Sequence, residues 1–306
     1  MGKIPYKFAP VIIPLNVTSG NNGVFVFNSN GVPVSSGNKM SGAYLGINDR
    51  KTMCVYSGGI TTGTVISSGG SLTVSGSGSA DNTTVNYGGA VFVSSRGIAS
   101  RANISSGGTL CVLSGGHASN LYVSAGGSLT VSSGGTCTSL CVEHANCLNM
   151  SSAFIYGATV KAGMLTLDED NHEEPQSRFS TISAIGAQIM VSSQCKVYSM
   201  YAGSGGYIQF VGGASAENTV AASGGTVHYN ISGSGIGLGV YSGGTAVIAS
   251  GAKVEHTFVS PNGSAVIESG GSCSGGIVSS GGTLMISAGG TADNITSAPG
   301  AVIIQG

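Results

Sequence analysis

Residues 107–135 read GGTLCVLSGGHASNLYVSAGGSLTVSSGG, and this stretch contains a unit that most of the chain repeats. The unit is 19 residues long, and Gly-Gly pairs at 107/108, 115/116, 126/127 and 134/135 divide it into alternating intervals of 8 and 11 residues. Two short apolar runs lie between the pairs, such as Leu110 with Val112 and the run around Val123. Self-similarity at this period predicts a solenoid in which each repeat forms one rung.

Apolar residues recur at two positions of the unit, two residues apart, while the residue between them is chemically mixed. Because side chains alternate between the two faces of a strand, we expect the two apolar columns to point inward and the mixed column to point outward. The inward columns are Met53, Leu72, Val91, Leu110, Leu129 and Leu148, and Val55, Val74, Val93, Val112, Val131 and Met150; the outward column is Cys54, Thr73, Phe92, Cys111, Thr130 and Asn149.

Two further columns predict a second inward-facing strand in each rung. The first is Ile66, Val85, Ile104, Val123 and Val142. The second is Ala80, Ala99 and Ala118, which indicates a position where only a small side chain fits.

The repeat continues through the second half of the chain, although Gly-Gly pairs are absent between residues 136 and 204. An acidic insertion of about five extra residues, the loop 168–178, separates two of the apolar pairs. One-residue slips near Gly251 and Pro299 then bring the last pair to Val302 and Ile304. The pairs are Leu165/Leu167, Ile189/Val191, Ile208/Phe210, Val227/Tyr229, Ala246/Ile248, Ala265/Ile267, Leu284/Ile286 and Val302/Ile304.

One rung cannot fold alone, because ordering the backbone costs about 1–2 kcal/mol per residue. Five inward aliphatic side chains return only about 1.5–3 kcal/mol each, so rungs must stack on one another. We therefore predict an all-β fold, a single right-handed parallel β-helix (β-solenoid) of about fourteen rungs. Residues 1–30 are predicted to form an N-terminal cap, and residues 31–306 the β-helix with its acidic loop insertion at 168–178.

Composition excludes several classes of function. The chain has 306 residues, 53 of them glycine, and only 8% are charged, which is unlike an ordinary globular surface. The net charge of -1 gives no indication of a basic surface patch that would bind nucleic acid or anionic lipid. We expect no membrane span in this chain, because no apolar run approaches about 18 residues. The first residues fail the pattern of a secretion signal, since Pro10 and Pro14 interrupt a short apolar patch.

Several units resemble the 19-residue repeat of the AIDA-type autotransporter adhesins. These units are SSGGSLTVS at 67–75, NTTVNYGGAVFVSSRG at 82–97 and SAGGSLTVSSGG at 124–135, and the resemblance covers residues 50–306. It implies a bacterial cell-surface or secreted passenger that acts in adhesion, autoaggregation or biofilm formation. The implied partners are a receptor on a host or bacterial surface, or other copies of the chain. The chain departs from the family pattern in lacking a recognisable signal peptide and a C-terminal translocator barrel.

The same resemblance implies O-glycosylation of serines with heptose by a dedicated heptosyltransferase. Carried over by position, the acceptors are outward serines at the strand ends before the corners. These candidates are Ser57, Ser68, Ser106, Ser114, Ser133, Ser242 and Ser280.

Four residues of the chain resemble a zinc-ligand set: Cys137, Cys141, His144 and Cys147. The columns argue against this set, because Cys137 falls in the inward column of Ala118 and Cys141 in an outward one. We therefore predict no metal site and no cofactor, and interpret these thiols as buried or incidental. Cys54 and Cys111 share a column three rungs apart, about 14 Å, which is too far for a disulfide.

The acidic loop is the strongest local anomaly, with five of the twelve carboxylates within seven residues. Its carboxylates are Asp168, Glu169, Asp170, Glu173 and Glu174. A solvated protrusion is one interpretation, and a loop that binds cations or a partner is the other. The alternative function is a carbohydrate-binding or polysaccharide-cleaving β-helix that uses this loop. We predict no enzyme, because the other carboxylates are scattered singly and no histidine belongs to a catalytic motif.

Overall fold

The 19-residue repeat winds into a β-solenoid. The computed structural model describes residues 17–19, 32–34, 38–46, 52–144, 148–150, 153–167, 178–192 and 195–306. These residues form about 13 turns, and all their regular secondary structure is strand. The predicted all-β parallel solenoid is confirmed.

Each turn contributes one strand to a long sheet, here called sheet I. Its strands are Val17–Ser19, Asn38–Ser41, Tyr44–Leu45, Ile60–Thr62, Val65–Ile66, Ser79–Asp81, Thr84–Val85, Ile98–Ser100, Asn103–Ile104, His117–Val123, Thr136–Val142, Phe154–Val160, Arg178–Ile185, Lys196–Gly203, Ser215–Ala221, Ser234–Val240, Lys253–Val259, Ser272–Val278 and Thr291–Ser297. In the first turns the strand is split in two, and from His117 onward it is continuous.

The other strand of each turn belongs to one of two shorter sheets. Sheet II comprises Val32–Val34, Thr52–Val55, Ser71–Val74, Ala90–Val93, Thr109–Val112, Ser128–Val131 and Leu148–Met150. Sheet III comprises Met164–Leu167, Gln188–Val191, Tyr207–Phe210, Thr226–Tyr229, Thr245–Ile248, Ser264–Ile267, Thr283–Ile286 and Val302–Gln305. No strand pairing joins the two sheets within the described residues, whereas sheet I runs past the junction.

The strand register confirms the predicted columns. Leu110 lies opposite Val91 and Leu129, and Val112 lies opposite Val93 and Val131. These positions are fully buried, whereas the outward column is partly or largely exposed, as at Phe92. Strand alternation alone therefore assigned the faces correctly.

The predicted one-residue slips are wrong. Sheet III keeps a 19-residue register from Ile189 to the end, so Leu284 lies opposite Ile303 and Ile286 opposite Gln305. Val302 and Ile304 therefore belong to the outward positions of the last strand. The prediction followed hydrophobicity in a strand whose four residues are all exposed in this structure, where burial no longer distinguishes the two faces.

The column that begins at Ala80 is also less restrictive than predicted. It continues through Cys137 to Ile155 and then Phe179, and all three side chains are buried. The core of these turns also contains Ala153, Ala158, Ala184 and Ala187. Larger residues in one column thus accompany small ones in others, which keeps the enclosed volume filled.

A residue with positive φ recurs in the middle of the sheet I strand. Asn120 (φ 52°), Asn218 (φ 57°) and Asn294 (φ 55°) are examples, and Gly157 and Gly237 occupy the same position. Asparagine and glycine adopt this left-handed conformation most readily. At this bend the positive-φ residue and the residue before it both face outward, and the residue after it, such as Leu121, turns inward.

The turn that spans the predicted acidic insertion is longer than the others. Leu165 pairs with Ile189, 24 residues later, instead of the usual 19, and Arg178 begins the next strand of sheet I. Residues 168–177 lie outside the described residues. Most of the predicted cap, residues 1–30, also lies outside them; Val17–Ser19 pairs antiparallel with residues 38–40.

Candidate functional site

The seven candidate acceptor serines share one location, the corners of the solenoid. Each is the second residue of a four-residue turn closed by a backbone hydrogen bond, and each is exposed. Their predicted location is the strand ends before the corners; in the structure they lie in the turns themselves. Ser57, Ser114 and Ser133 follow strands of sheet II, whereas Ser68, Ser106, Ser242 and Ser280 follow strands of sheet I.

Ser106 illustrates the geometry of these turns. The amide of Gly108 donates to the carbonyl oxygen of Ser105 over 2.9 Å, and Gly107 at the third position has φ +73°. That conformation favours glycine, which explains why serine is followed by glycine at these corners.

Glycine in the next turn leaves room for the serine hydroxyl. A Cβ added at Gly126 would lie 2.5 Å from the Oγ of Ser106, and one at Gly300 would lie 2.7 Å from the Oγ of Ser280. Gly134 has the same relation to Ser114, at 3.0 Å. At these three corners, glycine in the next turn thus leaves the space beside the serine hydroxyl without a side chain of its own.

Backbone hydrogen bonds stack the turns into straight edges. Along one edge Gly88 donates to Gly107 over 2.9 Å, and Gly107 donates to Gly126 over 2.7 Å. Along the other, Gly115 donates to Gly134 over 3.0 Å. In these turns the hydroxyls therefore project from two hydrogen-bonded edges, one after each strand of the turn.

The acidic loop residues are not part of the described structure. Asp168, Glu169, Asp170, Glu173 and Glu174 all lie within residues 168–177, so the loop that binds a cation or partner stays a prediction.

The structure separates two of the four zinc-like residues. Cys137 lies opposite Ala118 and is buried, and Cys141 lies opposite Tyr122 on the outward face. Burial raises the pKa of the Cys137 thiol to about 12, so it stays protonated at neutral pH. Cys147 lies outside the described residues, and those that are described contain no group of three metal-ligating side chains.

The outward face of sheet I carries ordered polar clusters that were not predicted from the sequence. Asp81 accepts a hydrogen bond from the Ser100 hydroxyl (2.8 Å) and pairs through both carboxylate oxygens with Arg101. The Arg101 guanidinium, followed by the Ser100 hydroxyl, holds the pKa of this carboxyl below its usual value. Together with Ile60 and Asn120 these residues line a shallow depression. The signal was present in the sequence, because residues 19 or 20 positions apart are neighbours on adjacent turns.

A second cluster lies further along the same face. Lys161 and Tyr122 both donate to Oε1 of Glu143, over 2.7 and 2.8 Å. The hydrogen bond from Lys161, followed by that from Tyr122, lowers the pKa of the Glu143 carboxyl. Lys161 and Tyr122 are exposed and Glu143 is partly exposed, so this cluster orders the surface more than it stabilises the fold.

The comparisons with known proteins agree with this architecture. Residues 55–108 match the AIDA family model, described as "Adhesin of bacterial autotransporter system, probable stalk". A comparison with curated protein sequences finds no significant match. Among solved structures, the chain is similar to a TibC-catalysed, hyper-glycosylated fragment of TibA, with 28% identity and a TM-score of 0.61. The alignment covers 90% of this chain and 97% of that fragment.

Among the described residues there is no helix that is both long and apolar enough to cross a membrane. The repeat, the stacked Ser-Gly-Gly corners, the family match and the structural similarity all point to one family. Residues 55–108 match the adhesin-stalk family that the 19-residue unit resembles, and the chain as a whole is similar in structure to the TibA fragment.

Proposed function

We propose that this chain is the stalk of a bacterial surface adhesin and that its corner serines carry O-linked sugars. The observation that carries the proposal is the placement of all seven candidate serines at exposed second positions of stacked turns. The family match supports a role in adhesion, autoaggregation or biofilm formation, and this role requires no catalysis.

Corner serines differ from strand serines in their hydrogen bonding. Ser71 and Ser100, which lie in strands, donate to Thr52 and Asp81 of the preceding turn. Within the described part of the chain, the seven corner hydroxyls make no such bond. A glycosyltransferase that approaches along an edge finds hydroxyls that form no hydrogen bond within the protein. Joining a sugar to such a hydroxyl, with release of the donor's leaving group, therefore breaks no contact of the fold.

The glycines beside several of the serine hydroxyls support modification of these serines by one enzyme. Because the turns repeat at the strand spacing of about 4.8 Å, successive acceptors present nearly the same backbone. One transferase, of the heptosyltransferase kind, therefore recognises the edge rather than any single sequence. The sugars in turn cover the edges with polar groups on the cell surface.

Intact mass of the protein isolated from its native host, together with cell fractionation, tests the proposal. We expect a surface-exposed or secreted form with mass increments of a heptose, and peptide fragmentation that places them at corner serines. An unmodified protein in the cytoplasm would contradict both parts of the proposal.

A pair of variants separates corner from strand serines. Alanine at Ser68, Ser106 and Ser114 should remove up to three increments, whereas alanine at the strand residues Ser71, Ser79 and Ser100 should remove none. Equal losses in both variants would show that exposure at the corner does not select the acceptors.

A further inference from the structure

Backbone conformation divides the corner serines into two sets that exposure does not distinguish. Within the described residues, every serine at the second position of a closed corner is exposed, but φ there is positive at some corners and negative at others. The positive-φ corner serines are Ser57 (φ 52°), Ser95 (φ 47°), Ser204 (φ 48°) and Ser223 (φ 51°). The negative-φ corner serines are Ser68, Ser106, Ser114, Ser133, Ser242, Ser250, Ser269 and Ser280.

The two sets belong to different types of turn. In the positive-φ set φ is positive at both central residues, as in type I′ turns, whereas in the negative-φ set it is positive only at the third residue, as in type II turns. Ser223 and Ser242 both begin a Ser-Gly-Gly sequence and lie in successive turns after strands of sheet I, yet only Ser223 has positive φ. The short sequence therefore does not decide the set to which a serine belongs.

The serine hydroxyl lies in a different place in the two types of turn. A Cβ added at Gly270, in the third position of the next turn, would lie 2.7 Å from the Oγ of Ser250. The hydroxyl of this negative-φ serine therefore lies toward the glycine of the next turn. At Gly243 the added Cβ would meet only backbone atoms of Ser223 and its neighbour, at 3.4 Å or more. The close approach of Oγ is repeated at Ser106, Ser114, Ser269 and Ser280.

The backbone amide of the serine differs in the same way. Ser204 donates its amide to the carbonyl oxygen of Ser223 over 2.8 Å, and Ser223 donates to that of Ser242 over 3.0 Å. No negative-φ corner serine donates its amide to a backbone carbonyl among the described residues. The amide is thus used in the stack of turns at positive-φ corners and is available to an outside partner at negative-φ corners, as at Ser250 and Ser269.

We propose that the glycosyltransferase acting on this chain binds the available amide of its acceptor serine and so modifies negative-φ corner serines ahead of positive-φ ones. This inference rests on the proposed O-glycosylation and specifies its acceptors. It adds Ser250 and Ser269 to the predicted acceptors. It also makes Ser57, which was predicted, one of the slow ones.

The chemistry of sugar transfer gives the amide its role. The serine oxygen forms a bond to the anomeric carbon of a nucleotide-activated sugar, the bond from that carbon to the diphosphate breaks, and the hydroxyl proton is released. The oxygen must be held against the anomeric carbon, and positioning of this kind accelerates a reaction. A carbonyl group of the transferase that accepts the serine amide supplies it. At Ser223 the same contact would first require breaking a hydrogen bond between turns.

Site occupancy in protein from the native host, sampled at successive times after synthesis begins, tests the inference. Peptide fragmentation that retains the sugar gives the modified fraction at each serine. We expect Ser250 and Ser269 to be modified about tenfold faster than Ser204 and Ser223, the effect of about one hydrogen bond. Equal rates in the two sets would overturn this inference alone, whereas protein without sugar at any corner would overturn the proposed glycosylation as well.

Serines introduced at other corners provide a matched pair of variants. Gly76 and Ala288 are both exposed second residues of corners, after strands of sheets II and III. Gly76 has φ 52° and Ala288 has negative φ. The Gly76 amide donates to Ser95 over 2.8 Å and its carbonyl accepts from Ser57 over 2.8 Å, which holds this corner in its conformation.

We expect Ala288→Ser to gain one sugar at the new serine, and Gly76→Ser to gain none at the same time point. Melting temperatures close to that of the parent chain show that both variants fold. Equal gain at the two new serines, or gain at neither, would overturn the inference.

Discussion

The hydroxyl of Tyr229 crosses the interior of the solenoid to Gly235, where an added Cβ would lie 2.5 Å from the phenolic oxygen. Tyr229 is among the largest fully buried side chains, and its ring stacks on Phe210 with centroids 4.7 Å apart. The neighbours of Gly235 in its column, Ala216 and Val254, both carry a Cβ. Glycine at this position therefore compensates for the volume of a tyrosine on the opposite wall.

Gly235→Ala should lower the free energy of unfolding by about 1–3 kcal/mol, because the methyl group overpacks the core. Tyr229→Ile removes the obstructing ring, and isoleucine already occupies this column at Ile248. Urea unfolding of the two single variants and the double variant measures the coupling. Strictly additive effects would show that the two residues do not share this space.

Val112→Asp and Thr130→Asp test the assignment of the two strand faces. Val112 is fully buried, so an aspartate there places an unpaired charge in the core and should cost about 3 kcal/mol or more. Thr130 lies on the outward face and should tolerate the same change within about 0.5 kcal/mol. Circular dichroism during thermal unfolding measures both. Similar losses for the two variants would mean that the faces are inverted.

Arg101→Gln should raise the pKa of Asp81 toward its ordinary value of 3.8. Because the guanidinium lowers the folded-state pKa, the stabilisation that it gives is present above that ordinary value and is lost as pH falls through the lowered pKa. Carbon NMR titration of the Asp81 carboxyl measures the shift, with Arg96→Gln as the control at an exposed arginine in a nearby turn. The melting temperatures of the variant and the parent should converge at acid pH; a constant difference would exclude this linkage.

Cys137 should resist iodoacetamide at pH 8 in the folded protein, because burial both blocks the thiol and raises its pKa to about 12. Cys273 is also buried, with its pKa raised by burial, and its thiol donates to the Thr257 hydroxyl over 3.3 Å. Cys54 and Cys141 are partly exposed and should both react before Cys137. Peptide mapping after timed labelling gives the order, and labelling in urea provides the control in which every cysteine reacts. Labelling of Cys137 as fast as Cys54 would contradict the register.

The sequence predicted the inward columns well because burial and period act on every turn alike. Leu110 and Val112 could be assigned from their equivalents 19 residues away, and the inserted turn still kept its columns at Leu165 and Ile189. The prediction failed at Val302, where exposure removes the distinction between faces. It also failed at Phe179, because the volume allowed at one position depends on residues in other columns of the same turn.

The polar clusters and the aromatic contacts on the outward face were harder to predict because they depend on neighbours across turns. Asp81 and Arg101 are 20 residues apart in sequence but bonded in space. The Tyr241 ring reaches its place only because residue 239 has no side chain. Such contacts follow from the register once it is known, whereas a search for local motifs does not find them.

The separation between sheets II and III has a mechanical consequence. In a solenoid the hydrogen bonds between turns run along the long axis. A force that pulls the two ends apart is therefore shared by all the hydrogen-bond ladders that join one turn to the next. Between Leu148–Met150 and Met164–Leu167 the paired strands are those of sheet I, Thr136–Val142 with Phe154–Val160. Among the described residues, one ladder carries axial tension there, and we expect a chain pulled along its axis to yield first at this turn.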